Sequence, residues 1–224
     1  MQQPRKTSTI GLSTYEAIRS DIIFGRLEPE KKLKLDKMKA SYKASISTLR
    51  ETLNRLASEG FVAAEEQRGF FVAPVSATDL QEISDLRVLL ECTALRKSIE
   101  NGDTDWEGSV AAAHHKLHRM EKQMLSGDES EKELWKRYDA EFHQSLIAAC
   151  GSKELMAIHK TIYDKYLRYQ MQILTYRGKT AVAEHKRLFE AAMDRDADKA
   201  VKLLRHHIET GLKHTLEESS ALPD

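Results

Sequence analysis

The chain has 224 residues, 41% hydrophobic and 31% charged, with 35 basic residues balanced by 35 acidic ones. That suffices for one large or two small globular domains, which cluster at about 100–150 residues, and it excludes a fibrous, collagenous or wholly disordered protein. Apolar runs are far shorter than the roughly 18–20 residues that cross a bilayer, and Met1-Gln2-Gln3-Pro4-Arg5-Lys6-Thr7 has no hydrophobic signal core, so a cytoplasmic protein without membrane contact is expected.

Cys92 and Cys150 offer no C-x-x-C and read as two buried thiols, not as a disulfide framework or a thiolate zinc site. The zero net charge hides an asymmetry. Residues 1–75 carry 13 basic and 9 acidic side chains, whereas residues 76–224 carry 22 and 26, so the two parts face different partners. Six of the basic residues crowd together as Lys31, Lys32, Lys34, Lys37, Lys39 and Lys43.

Residues 1–9 read as a flexible tail. A first helix follows from the helical spacing of Tyr15, Ile18, Ile22 and Ile23, with Ser13 as its cap and Gly25 and Pro29 as its stop. A short second helix is expected over Leu35 to Tyr42. A third begins after Ser45, buries Leu49, Leu53 and Leu56, and ends at Gly60. Phe61-Val62-Ala63-Ala64 and Phe70-Phe71-Val72-Ala73 then alternate as two short strands about a turn containing Gly69. The third helix opens with Ser45-Ile46-Ser47-Thr48-Leu49-Arg50, which places hydroxyls and an arginine at a helix end whose amides and dipole favour phosphate. With the leucines inward, Ser45, Ser47, Thr48 and Arg50 face out, as a helix entering the major groove requires.

Asp21-Ile22-Ile23-Phe24-Gly25-Arg26-Leu27-Glu28-Pro29, the run Ser45-x-Ser47-Thr48-Leu49-Arg50-Glu51-x-x-Asn54-Arg55-Leu56, and Glu59-Gly60-Phe61 with Gly69-Phe70-Phe71-Val72 resemble the winged helix-turn-helix of GntR-type bacterial transcription regulators. The resemblance implies DNA contacts from Lys34, Ser45, Ser47, Thr48, Arg50, Arg68 and Gly69. The chain departs from the family in two places, with Ile46 where arginine is usual and Pro29-Glu30 where Pro-Gly is usual. Loss of that arginine implies an operator unlike the common half-site.

From residue 76 to 224 the pattern is all helix, in segments of about 78–101, 104–125, 130–150, 153–177, 180–195 and 197–218, which predicts an antiparallel bundle. Asp139 and His143, four apart, share a side of their helix with Trp135, Phe142 and Leu146, opposite the charged face assigned to Lys132, Glu133 and Lys136. His185 lies in the stripe of Val182, Leu188, Phe189 and Ala192, and His207 in that of Ala200, Leu204, Ile208 and Gly211, with His206 turned aside. Four potential ligands from three helices thus face inward, and a divalent ion would satisfy all of them at once. Hydrogen-bonded core residues are the alternative. Nitrogen and oxygen ligands suit zinc first, with nickel, manganese and iron compatible. His114 and His118 also have i, i+4 spacing but flank their stripe.

Asp139-x-x-Phe142-His143, Glu184-His185-x-x-Leu188, His207-Ile208 and Asp85-Leu86-Arg87-x-x-Leu90-Glu91 resemble the FCD ligand-binding domain of the FadR subfamily. That resemblance implies a metal on Asp139, His143, His185 and His207, completed by a small carboxylate effector, with Arg87 as the effector's arginine. Arg87 lies between Ile83, Leu86 and Leu90, where a guanidinium needs an anion. Effector carboxylate and a structural acid such as Glu91 both answer that need.

The expected protein is therefore mainly α, with a winged helix-turn-helix over 10–75 and an effector-binding and dimerising bundle over 76–224. Its function would be that of a homodimeric regulator, a repressor in the first instance, bound to a pseudo-palindromic operator. A metal-dependent helical-bundle enzyme acting on a small organic acid is the competing class. Against it, the chain has no His-Asp dipeptide and no Glu-x-x-His, and Gly178-Lys179-Thr180 lacks the glycine of a phosphate loop, with Ile173 in its place.

Overall fold

The computed structural model describes residues 10–128, 130–173 and 176–218; the expected tail over 1–9 lies outside them. Packing divides the chain into two compact units, residues 1–75 and 76–224.

The first unit consists of α1 (Ile10–Ile23), α2 (Leu35–Tyr42), α3 (Ile46–Ser58), β1 (Val62–Glu65) and β2 (Gly69–Val72). Helix α1 starts earlier than Ser13 suggests: Ser13 sits in the first turn and its hydroxyl donates to the Ile10 carbonyl, so it is not the cap. Ile18, Ile22, Leu49, Leu53, Leu56 and Phe61 are fully buried between the helices and the hairpin. Strands β1 and β2 are antiparallel, with Val62 opposite Val72 and Glu65 opposite Gly69. The segment before α2 joins this sheet, since Lys32 bridges Phe71, the Leu33 amide donates to the Phe70 carbonyl, and the Glu30 amide to that of Val72. To make this approach Glu30 adopts φ +62°.

The second unit is all helix among its described residues: α4 (Ala77–Asn101), α5 (Thr104–Leu125), α6 (Lys132–Ile147), α7 (Lys153–Ile173), α8 (Gly178–Met193) and α9 (Ala197–Glu218). Ser76 caps α4 and Asp103 caps α5 through side-chain acceptance of the third backbone amide. Leu95, Val110, Leu117, Phe142, Leu146, Leu188 and Leu204 form the core. None of the described helices is long and apolar enough to cross a membrane.

Two details of the bundle correct the sequence pattern. Leu86, expected to flank Arg87 in a buried stripe, is 43% exposed; α4 instead buries Ile83, Ser84, Arg87, Val88 and Glu91. Lys136, assigned to the solvent face of α6, is buried. Positions 136, 139, 143 and 146 continue one helical stripe, so the lysine follows the period and not its charge.

Candidate functional site

In the first unit the chemistry lies on the surface. Ser45 is the N-cap of α3: its hydroxyl accepts from the Thr48 amide at 3.1 Å and lies 2.9 Å from the Thr48 hydroxyl. Ser45 therefore caps the helix as well as standing at its exposed end. Ser47 and Arg50 are exposed on the same opening turns, and Ile46, the first helical residue, is half-buried. Lys34 is exposed at the start of α2, Arg68 is exposed in the hairpin turn, and Gly69 is exposed at the first position of β2. Arg68 pairs with Glu65 and stands over the Phe71 ring, and Gly69 has φ +96°, a conformation that glycine adopts without strain. All six lysines of the cluster are exposed.

In the second unit the chemistry is internal. His143 on α6, His185 on α8 and His207 on α9 converge so that one ring nitrogen from each lies within 4.8 Å of the others. Their ring centroids are 4.6 to 6.0 Å apart. Each Nδ1 meets its own carboxylate: Glu91 Oε2 at 2.9 Å from His143, Glu121 Oε1 at 2.6 Å from His185, and Glu184 Oε2 at 2.7 Å from His207. A carboxylate accepts only, so a neutral imidazole in this setting carries its proton on Nδ1 and keeps the Nε2 lone pair, the tautomer a metal needs; at His207 the Arg177 guanidinium also lies 3.1 Å from Nδ1. The His185 Nε2 is buried with no hydrogen-bond partner among the described residues. These donors and the orphaned nitrogen fit a divalent ion.

Asp139 stands beside this set but outside it. Its Oδ1 is 3.4 Å from His185 Nε2, and its Oδ2 accepts from the Tyr163 hydroxyl at 3.2 Å and lies 3.7 Å from Lys136 Nζ. Burial opposes ionisation of Asp139, yet Lys136 and the three histidines hold it well below the usual carboxylate range. Burial pushes His143 and His207 below the ordinary imidazole value, and for His207 the neighbouring His185 and His143 push the same way.

Arg87 reaches this site from α4, and its anion is at least partly internal. Its Nε donates to Glu91 Oε1 at 2.7 Å, and the guanidinium lies over the rings of Tyr163 and Tyr166 at 4.6 and 4.1 Å. Glu91 thus joins Arg87 to His143, with His159 Nε2 a further 3.2 Å from Oε1. Despite burial it is held far below its usual value by Arg87 and these histidines.

One cavity is lined by Arg87, Lys136, Asp139 and the three clustered histidines, together with Trp135, Tyr166, Gln170, Arg177 and His214. Lys136 Nζ donates to Gln170 Oε1 at 2.7 Å, and burial pushes this lysine down while Asp139 draws it back up. Arg177 pairs with Glu184 at 2.8 Å. Gly211 lines the wall where a Cβ would come within 3.2 Å of the Tyr166 hydroxyl. His114 is elsewhere, stacked on Phe189 at 4.3 Å, with His118 6.0 Å from it, and His206 is exposed.

Glu91, i+4 from Arg87, is the structural acid the sequence already offers, and the same spacing could have found Lys136, which is i−3 from Asp139. Glu121, His159 and Arg177 give no such signal, because each meets the site only through packing of its helix against others.

Residues 11–72 match the family described as bacterial regulatory proteins, gntR family, and residues 82–210 match the FCD domain. The HTH-type transcriptional regulator BphR of Paraburkholderia xenovorans is 32% identical over 202 residues, covering 89% of this chain and 82% of that protein. The HTH-type transcriptional repressor GlaR of Escherichia coli is 31% identical over 208 residues, covering 89% and 92%. Among solved structures, Escherichia coli McbR/YncC has the same fold at TM-score 0.80 and 16% identity over 94% of this chain and 98% of that one. A regulator from Rhodococcus sp. RHA1 follows at TM-score 0.74 and 20% identity, over 92% and 97%. The chain belongs to the GntR family of DNA-binding transcription regulators, with an FCD domain after its helix-turn-helix, and not to a family of enzymes.

Proposed function

We propose that this regulator is a homodimeric repressor whose operator affinity is set by a small carboxylate bound in the helical unit, beside a divalent ion held by His143, His185 and His207 with Asp139. The observation that carries this reading is the set of three histidines whose Nδ1 atoms are each fixed by a separate glutamate. A buried triad with three oriented acceptors is far more than a structural histidine needs. The ion, zinc in the first place, supplies Lewis acidity and a positive charge that draws a carboxylate; Arg87 and its tyrosines orient that carboxylate. The site belongs to a regulator acting on DNA, and hence in the cytoplasm.

DNA recognition is assigned to Ser45, Ser47, Thr48 and Arg50 at the α3 opening, with Lys34, Arg68 and Gly69 toward the backbone and groove edge. Ile46 offers apolar contact, for instance to a thymine methyl, where an arginine would pair with guanine. Twofold symmetry would place two such helices on the half-sites of a pseudo-palindrome. Arg87 and Glu91 lie on α4, which begins two residues after the winged unit ends, so an acid that engages Arg87 acts on the helix joined most directly to the DNA-binding unit.

Elemental analysis of the purified protein, with operator titrations before and after chelation and with added organic acids, tests this. Metal bound in the wild type, lost in His143→Ala/His207→Ala together with the acid response, is the expected result. Full metal occupancy in the double mutant would overturn the site.

A further inference from the structure

The charges and unpartnered groups of the cavity narrow the acid it accepts, granted the effector reading above. Three cations approach it, and each has an acid: Arg87 with Glu91 at 2.7 Å, Arg177 with Glu184 at 2.8 Å, and Lys136 with Asp139 at 3.7 Å. Glu121, buried beneath His185, is the fourth carboxylate. With neutral imidazoles, these described residues carry one net negative charge, and a divalent ion turns that into one net positive charge. One carboxylate from a ligand restores neutrality. A second would bring an anion into a buried site whose cations are already paired, and an unpaired buried charge is strongly disfavoured.

The rest of the described wall is polar at Tyr166, Gln170 and Thr215 and apolar at Ala181, Ile208 and Gly211. Gln170 donates to the Tyr166 hydroxyl and to the Thr215 hydroxyl, both at 2.9 Å. Two further groups lack partners among the described residues. Trp135, 3% exposed, lines the cavity and its Nε1–H is buried without an acceptor; His214 also lines it, and its Nε2 is buried without a partner. An indole N–H only donates, and leaving it dry is costly. A ligand hydroxyl satisfies both kinds of group, since its oxygen accepts and its hydrogen donates. An alkyl chain satisfies neither.

We propose that the effector is a monocarboxylic acid carrying hydroxyl groups along its chain, with Trp135 and His214 as the residues that select for the hydroxyls. A site built to bond a ligand hydroxyl rejects the analogue lacking it by large factors, whereas a site of apolar contact does not.

The test uses calorimetry on the full-length, zinc-loaded protein with matched acids: lactate and glycerate against propionate, gluconate and galactonate against hexanoate, and glutarate as the dianion. At least one hydroxylated acid should bind 10-fold or more tightly than its unsubstituted counterpart and than glutarate. Trp135→Phe keeps the ring and removes the N–H, and should remove most of that preference while leaving propionate or hexanoate affinity as it was. If propionate, hexanoate or glutarate binds as tightly as every hydroxylated acid, the inference fails and the carboxylate-effector reading stands. If none of these acids binds the metal-loaded protein, both fail. An unchanged preference in Trp135→Phe and in His214→Ala removes those two residues from the selection and overturns the assignment.

Discussion

The two units of this regulator place their chemistry in opposite environments. In the winged unit the functional groups are exposed, lie within one short stretch of chain or the turn beside it, and sit on a core that does not involve them. In the helical unit they are buried, come from six helices, and are the interior of the bundle: Arg87 and Glu91 on α4, Glu121 on α5, Asp139 and His143 on α6, Tyr163 on α7, Glu184 and His185 on α8, His207 on α9. Function and stability should therefore separate in the first unit and be inseparable in the second.

The largest effect expected from this difference is at Glu91, which no solvent can replace. Glu91→Ala leaves Arg87 buried without its acid and His143 without its acceptor, and removing one partner of a buried pair costs about 3–5 kcal/mol. Urea denaturation at neutral pH should show that loss in the metal-free protein. In the metal-loaded protein, affinity for the ion should also fall by roughly 10–100-fold, since Glu91 orients a ligand. A variant with wild-type stability would mean that the internal network is not part of what holds the bundle.

Arg50→Ala is the counterpart on the surface. Arg50 is exposed on α3, so stability should stay within about 0.5 kcal/mol of wild type while operator affinity drops by about 1–3 kcal/mol. Mobility shifts at several salt concentrations measure the second quantity, and a shallower salt dependence would mark Arg50 as a phosphate contact. Undiminished operator affinity would sink the assignment of the α3 opening.

Acid should also distinguish the units. His143 and His207 are depressed in the folded protein, mainly by burial. As pH falls below the ordinary imidazole value of about 6.5, the unfolded chain takes up these protons and the folded chain does not. Stability is then complete above that value and is lost on the way down toward the folded values. Melting of the metal-free protein should fall between pH 7 and 5.5, and bound zinc should steepen the fall, because the ion competes with the same protons. Flat melting across this range would mean that the histidines already titrate normally.

The same contrast decides what the sequence makes legible. Helix spacing marks the buried stripes of α3 and α9 nearly to the residue, and the i, i+4 relation of Asp139 and His143 follows from one helix alone. The resemblance to known families supplies the roles of Arg87, His185 and His207. Lys136 is misplaced because charge is taken as a sign of solvent, although its position in the stripe says otherwise. Glu121 and Glu184 are invisible as acceptors, since nothing in a helix's own period tells which neighbour its polar residue meets. Ser13 and Ser45 are alike in sequence, and only the start of the helix separates a first-turn residue from a cap.

The smallest effect concerns the backbone of the winged unit, and it sharpens the claim that function and stability are separate there. Glu30 stands where the family resemblance leads one to expect glycine, and it holds φ +62° so that its amide can reach the Val72 carbonyl at 3.0 Å. A side chain in that left-handed conformation costs about 1 kcal/mol, which glycine avoids, although glycine also gains freedom in the unfolded chain. Its side chain is exposed and takes no part in the proposed DNA contacts. Glu30→Gly should therefore stabilise the protein by about 0.5–1 kcal/mol by relieving strain at one residue. Gly69, at φ +96°, where an added Cβ would meet only Lys32 Cε, at 3.9 Å, is the mirror case. There is room for a methyl group, so Gly69→Ala should cost about 1 kcal/mol through conformation alone. Denaturation curves for the two variants should move in opposite directions with unchanged slopes. If Glu30→Gly instead destabilised the protein, the glutamate side chain would be making a contact worth more than the strain it imposes.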